Sequence, residues 1–146
     1  MKGRISGIII LIAIGFSCRR DNETVPIDLL YRKWKITQVQ YATGNPVMVS
    51  PTDAWAIVTF KSNGTILYGD DGKYDPCCSP SRFNRKGNTL DLVDVVSIPI
   101  PDRTPNGTCV GASCVSYGNS WKIVSLNTSQ LVLYQNYATV VYEPYP

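Results

Sequence analysis

The chain of 146 residues contains no histidine. Histidine is the usual general base, the partner of serine and cysteine nucleophiles and the commonest metal ligand, so its absence removes the familiar forms of these chemistries. A mechanism built from carboxylates alone stays open, because acidic pairs work without imidazole, but no motif indicates one. We therefore expect a protein that is not an enzyme and that needs no cofactor.

The sequence also has little net charge and no apolar run of membrane-spanning length. Its 14 basic and 11 acidic residues give a net charge of +3. They are scattered, and a local cluster such as Arg82, Arg85 and Lys86 is typical of a solvated face. The apolar run at 8–14 falls short of the roughly 20 residues that a transmembrane helix needs. We expect neither a nucleic-acid partner nor a spanning helix.

The N-terminal residues form a secretory signal that ends in a cysteine. Lys2 and Arg4 make a basic region, the apolar run follows, and Gly15-Phe16-Ser17 places small residues at positions −3 and −1 of a cleavage site. A cysteine directly after the cut, here Cys18, is typical of bacterial lipoproteins, in which it is acylated. The pattern predicts export and a palmitate-type lipid anchor at this cysteine.

This signal divides the chain into three segments. We expect residues 1–17 to be the signal peptide, residues 18–27 a lipidated tether, and residues 28–146 one domain with a single core. Arginine rather than aspartate follows Cys18, which favours sorting to the outer membrane. The membrane is thus an expected partner, through the anchor.

Four further cysteines, Cys77, Cys78, Cys109 and Cys114, form an even set in an exported chain, which indicates disulfide bonds. A bond between adjacent cysteines would strain the peptide between them, so Cys77 and Cys78 should each reach Cys109 or Cys114, in either connectivity. A zinc site is the competing interpretation, disfavoured without histidine and in an oxidising compartment. The acidic stretch at 70–75 has oxygen ligands for Ca²⁺, but a solvated turn explains it more simply. We expect no metal.

After residue 31 the pattern is one of strands and turns. Residues 26–31 fit one helical turn, with proline at a first helical position. Alternating apolar residues in several of the later segments indicate one buried face. The eight predicted strands are 33–41, 54–60, 64–69, 80–86, 88–96, 118–125, 130–135 and 138–143.

The connections between these strands alternate between short and long. The long ones span 42–53, 70–79 and 97–117, and an up-and-down meander would bring all three to one rim. Two of them carry the cysteine pairs, so the expected disulfides would join two loops at that rim and make it rigid. The sequence predicts an all-β, eight-stranded antiparallel up-and-down barrel with a short N-terminal helical turn.

Several short motifs resemble the lipocalin-like lipoproteins of the phylum Bacteroidota. The resemblance covers most of residues 28–143, and a curved half-open sheet or a sandwich is the alternative architecture. The motifs are LYRKWKI at 30–36, VTFKSNGT at 58–65, GNTLDL at 87–92, WKIV at 121–124 and QLVL at 130–133.

The resemblance assigns a role to Trp34. In lipocalins the first strand carries a Gly-x-Trp motif whose tryptophan plugs the closed end of the barrel, and Trp34 matches that tryptophan. Arg32 stands where the motif has glycine, and no arginine lies near the C-terminus to stack on the tryptophan, as one often does in the family.

Small eight-stranded barrels either fill their lumen with their own side chains or hold one small ligand. Core packing is the simpler interpretation of the inward aromatic residues, and ligand contact is the functional one. The candidates for ligand contact are Trp55, Tyr68, Trp121 and Tyr142. The sequence thus predicts an anchored cell-envelope lipoprotein that binds a small apolar ligand. The alternative is an interaction module that contacts a protein or a glycan through its disulfide-linked rim.

Overall fold

The computed structural model describes residues 27–93, 102–105, 107–109 and 118–146. Within them, the helical turn α1 (Ile27–Leu30) precedes nine strands. No helix of these residues has the length and apolar character needed to cross a bilayer. The strands are β1 (Lys33–Tyr41), β2 (Val47–Met48), β3 (Ile57–Phe60), β4 (Ile66–Tyr68), β5 (Phe83–Lys86), β6 (Thr89–Leu92), β7 (Ser120–Leu126), β8 (Leu131–Gln135) and β9 (Ala138–Pro144).

Eight of the strands form a nearly closed antiparallel barrel, in the order β4-β3-β1-β9-β8-β7-β6-β5. Each barrel strand pairs with its neighbours along the chain, and β9 returns to pair with β1. The ring closes between β4 and β5 through a bridge between Thr65 and Arg82 and a 2.7 Å hydrogen bond from the Ile66 N–H to the Ser81 carbonyl. The predicted up-and-down barrel is confirmed, and the half-open sheet and the sandwich are not formed.

Strand β2 is a short addition to β1 that lies in a predicted loop. It pairs with Gln38 and Val39, whereas β3 pairs with the preceding part of the same edge, Lys33–Lys35. Because β2 occupies the edge beyond Lys35, β3 begins only at Ile57. The predicted strand at 54–60 is therefore wrong in its first half, where Ala54–Ala56 form a 3₁₀ turn.

The core consists of inward side chains from all eight barrel strands. On β7, β8 and β9 the inward positions follow the predicted alternation until a β-bulge after Ile123 shifts β7 by one residue. A second bulge follows Ile36 in β1. Beyond the bulges, Val39 and Leu126 pack against the core, since an extra residue reverses which side chains face inward.

The two ends of the barrel differ in the length of their connections. The open rim collects the connections β1–β3, β4–β5 and β6–β7 together with the two-residue turn Asn136–Tyr137. Both turn residues have positive φ, as a type I′ hairpin turn requires. The closed end collects the short turns β3–β4, β5–β6 and β7–β8, the start of β1 and the end of β9. The predicted segregation of long and short loops holds.

Trp34 lies at the closed end. Its side chain is fully buried, and its Nε1–H donates to the Leu30 carbonyl at 3.0 Å. The guanidinium of Arg32 lies 4.1 Å from the centroid of the Trp34 ring, and its Nη2 donates to the Thr128 carbonyl at 2.8 Å. Arg32, the residue that departs from the Gly-x-Trp motif, thus covers the tryptophan and ties the start of β1 to the β7–β8 turn.

Removal of either side chain should destabilise the barrel, and removal of Trp34 should do so more than removal of Arg32. Trp34→Ala deletes a fully buried ring and should lower the free energy of unfolding by about 3 to 5 kcal/mol. Arg32→Ala keeps the ring but removes the stacked cation and its hydrogen bond to Thr128, which should lower the free energy of unfolding by about 1 to 3 kcal/mol. Urea unfolding measures both, with the exposed Lys122→Ala as control. A loss for Arg32→Ala no larger than that of the control would refute the stacking role.

Candidate ligand-binding cavity

A cavity of about 400 Å³ lies inside the barrel and reaches the open rim. This volume is in the lower part of the range typical of small-molecule sites. Strand residues such as Ile36 and Val58 form its inner wall, and loop residues such as Pro76 and Cys77 form its outer part. The barrel is therefore not completely filled by its own side chains.

All four aromatic residues predicted for ligand contact line this cavity. Tyr68, Trp121 and Tyr142 come from barrel strands and are only 5%, 4% and 1% exposed. Trp55 comes from the 3₁₀ turn before β3 and is 40% exposed at the mouth. Trp34 is not part of the lining and lies toward the closed end. The structure thus brings the four candidates together and separates them from Trp34, while their contact with a ligand stays a prediction.

A fifth aromatic residue, Tyr74, lines the cavity from the β4–β5 loop. The loop folds back at Gly69, whose φ is +80°, so that the Tyr74 N–H donates to the Tyr68 carbonyl at 3.0 Å. A Cβ at Gly69 would lie 2.7 Å from the Tyr74 Cβ, so only glycine permits this approach. A loop aromatic has no alternation pattern, and the sequence carries no signal that would have identified it.

The polar lining residues Ser79, Gln135 and Asn136 were also missed by the sequence analysis. The Tyr142 hydroxyl donates to Gln135 Oε1 at 3.2 Å, which orients this amide at the end of β8. Asn136 follows at φ +49°, a left-handed conformation that asparagine tolerates well. Polar residues beside a turn are usual at the end of any hairpin, so their position at a cavity could not be read from the sequence.

The two buried tyrosine hydroxyls of the cavity are held in neutral form. The Tyr68 hydroxyl donates to the Pro80 carbonyl at 2.8 Å. Burial raises the pKa of Tyr68 and of Tyr142 well above the ordinary value for a phenol, because the phenolate would lose its hydration. Both side chains therefore act as hydrogen-bonding groups without charge.

Trp121 carries an unsatisfied donor. Its ring packs edge to face against Phe60, with the centroids 6.5 Å apart. Its Nε1–H is buried and meets no acceptor among the described residues. A buried N–H without an acceptor costs about 1 to 3 kcal/mol, so an acceptor brought within reach of this group would gain that energy.

A disulfide bond joins two loops at the mouth of the cavity. Cys77 of the β4–β5 loop is bonded to Cys109 of the β6–β7 connection. The predicted link between these loops is confirmed by this pair, which is oxidised and so not available to zinc. Cys78 is also disulfide-bonded, and Cys114 lies outside the described residues.

Two further interactions fasten the same loops. Arg103 Nη1 contacts Asp75 Oδ1 at 3.1 Å in a partly buried ion pair. The Thr104 N–H donates to the Lys73 carbonyl at 2.8 Å. We call the disulfide, the ion pair and this backbone hydrogen bond the mouth clamp. It joins the β4–β5 loop, which forms the outer wall of the cavity, to the β6–β7 connection.

The acidic stretch at 70–75 is engaged with protein groups. Asp70 Oδ1 contacts Lys33 Nζ at 2.7 Å, and Asp71 Oδ1 accepts the Lys73 N–H at 2.9 Å. Asp75 belongs to the mouth clamp. In the part of the chain that the structure describes, no group of three or more cysteine or acidic side chains is arranged to hold a metal ion. These carboxylates therefore form a structured turn.

No protein-family model matches this chain, and comparisons with curated proteins and with solved structures likewise give no match.

Loss of the Cys77–Cys109 bond should loosen the mouth. The bond closes a loop with a sequence separation of 32 residues, so Cys77→Ser together with Cys109→Ser should lower the free energy of unfolding by about 3 to 4 kcal/mol. Chemical denaturation of this variant against the unsubstituted protein measures the loss. Non-reducing peptide mapping of the unsubstituted protein should recover a crosslink between Cys77 and Cys109. A Cys109–Cys114 crosslink in its place would contradict the clamp.

Proposed function

We propose that the protein is a lipocalin-like lipoprotein, anchored in the bacterial cell envelope, whose barrel binds one small apolar ligand. The cavity carries this proposal. A space of about 400 Å³ lined by five aromatic side chains is what a binding barrel needs, whereas a purely structural barrel packs its lumen with its own side chains. The proposed role is binding or carriage of the ligand.

In this proposal, the inner wall, the mouth and the loops of the cavity contribute to ligand binding in different ways. Trp121 and Tyr142 form the inner wall, where an apolar ligand would lose the most contact with water. Trp55 stands at the mouth and would cover the bound molecule. The mouth clamp holds the loops in place before binding, which reduces the conformational entropy that the loops lose when the ligand binds.

The location rests on the N-terminal sequence. A basic region, an apolar run and small residues before Cys18 support cleavage and acylation at that cysteine. The tether at 18–27 would then connect the lipid to α1 at the closed end of the barrel. Arg19 after the lipidated cysteine supports transfer to the outer membrane.

An interaction module is the second candidate function, and exposed apolar side chains at the open rim favour it. Each is more than half exposed, and they lie at the end of β1, on β2 and in the β8–β9 turn. They are Tyr41, Val47, Met48 and Tyr137. Apolar side chains grouped at one rim are typical of contact sites, so this rim could meet a protein or a glycan.

Binding in the lumen can be tested with apolar ligands. Fatty acids, sterols and isoprenoids are titrated while tryptophan fluorescence and the melting temperature are followed, since a ligand that binds only the folded state raises the melting temperature. At least one should bind, and Trp121→Ala or Tyr142→Ala should weaken its binding by about tenfold or more, equivalent to about 1.4 kcal/mol.

Tyr134→Ala is the matched control, because this tyrosine lies on β8 but faces the solvent. It should leave binding unchanged. If no ligand of the series alters fluorescence or melting, the small-molecule proposal is wrong and the interaction module takes its place.

The anchor can be tested in cells. Cys18→Ala removes the acylated side chain, so the protein should leave the membrane fraction or accumulate as uncut precursor. Fractionation and mass spectrometry of the N-terminal peptide measure both effects, with Cys78→Ala as a cysteine control outside the signal. The lipoprotein proposal would be rejected if the unsubstituted protein partitioned into the membrane fraction although mass spectrometry found no acyl group on it.

A further inference from the structure

The described lining of the cavity contains no charged side chain. Asp75, which lies between two lining residues, is neutralised by Arg103 within the mouth clamp. A charged group transferred from water into such a cavity would lose its hydration without gaining a counter-ion, which is strongly unfavourable.

The walls are richer in aromatic than in aliphatic side chains. Five aromatic residues line the cavity, against the aliphatic side chains of Ile36 and Val58. Aromatic faces and edges attract other rings in offset or edge-to-face arrangements, an attraction that comes in addition to the burial of apolar area. A linear acyl chain gains only from burial. The lining therefore suits a ring-containing molecule better than a chain.

Uncharged hydrogen-bonding groups complete the cavity. Gln135 Oε1 accepts the Tyr142 hydroxyl, and its Nε2 has no acceptor among the described residues. Ser79 and Asn136 are further lining residues with polar side chains. Such groups hydrogen-bond to hydroxyl or carbonyl oxygens, but none of them supplies a full charge opposite to that of an ionic ligand.

We propose that the barrel selects an uncharged, ring-containing ligand that carries hydroxyl or carbonyl groups. The inference rests on the proposed binding function and narrows it, since it separates the ligand from fatty acids and from other anionic apolar molecules.

Two fluorescent probes with the same ring skeleton test the role of ligand charge. N-phenyl-1-naphthylamine is neutral, and 1-anilinonaphthalene-8-sulfonate differs from it by one sulfonate. In titrations of the full chain, the neutral probe should bind about tenfold more tightly or better. Its binding should weaken in Trp121→Ala, which identifies the cavity as its site, and should be unchanged in Tyr134→Ala.

A charge placed on the cavity wall should reverse this preference. Gln135→Lys should strengthen binding of the sulfonate probe relative to the neutral probe by about tenfold. Gln135→Glu should weaken binding of the sulfonate probe relative to the neutral probe. Gln38→Lys is the matched control, because Gln38 is on β1 and is not part of the lining. Retained binding of the neutral probe shows that each variant is folded.

A pair of methyl ketones tests the role of the ring. 2-Acetylnaphthalene and 2-dodecanone have the same number of carbon atoms and the same carbonyl group, and only the first contains rings. The first should displace N-phenyl-1-naphthylamine at about tenfold lower concentration.

The outcomes separate the two proposals. Equal binding of both probes, with no change of their ratio in Gln135→Lys, would overturn selection for uncharged ligands. Equal displacement by both ketones would overturn selection for rings. If neither probe bound, or if Trp121→Ala left the binding of both unchanged, the proposed binding function itself would be overturned, and the ligand class with it.

Discussion

The pairing of β9 with β1 is the interaction on which the whole structure depends. It joins the two ends of the described domain, from Trp34 opposite Pro144 to Tyr41 opposite Ala138. Without it the meander would be an open sheet with two unpaired edges, and the inward aromatic side chains would meet water instead of one another. With it the sheet encloses a lumen, and the antiparallel order of the strands sends every long loop to the same rim.

The two ends of the closed barrel differ in how their side chains are arranged. At the closed end, the Arg32 guanidinium stacks on the fully buried Trp34 ring. At the open rim, buried aromatic side chains line the cavity, and the mouth clamp joins two of the loops above them. A substitution at the closed end should therefore change the free energy of unfolding alone. A substitution of a buried cavity residue or of the mouth clamp should change the free energy of unfolding and, in a binding barrel, the ligand affinity as well.

The sequence was informative where a residue pattern maps directly onto geometry. Alternating apolar residues located the strands, and the order of short and long loops placed the two cysteine pairs at the same rim, with the connectivity between them open. The features that could not be predicted depend on contacts between distant segments. The bulges at Ile36 and Ile123 reverse the inward faces, β2 takes part of the edge of β1, and Tyr74 reaches the cavity through a fold at Gly69. The stacking of Arg32 on Trp34 is of the same kind, because it requires the nearby β7–β8 turn to bind the guanidinium.

The mouth clamp has a consequence for the kinetics of a binding barrel. Three interactions join the same two loops, so these loops cannot separate to widen the opening unless covalent and non-covalent links break together. In a binding barrel the clamp would limit the widening of this part of the opening, so the cross-section of a molecule would affect its entry. A bound molecule that fits tightly would leave slowly through the same opening. Retention time, more than equilibrium affinity, would be the property that the disulfide bond controls.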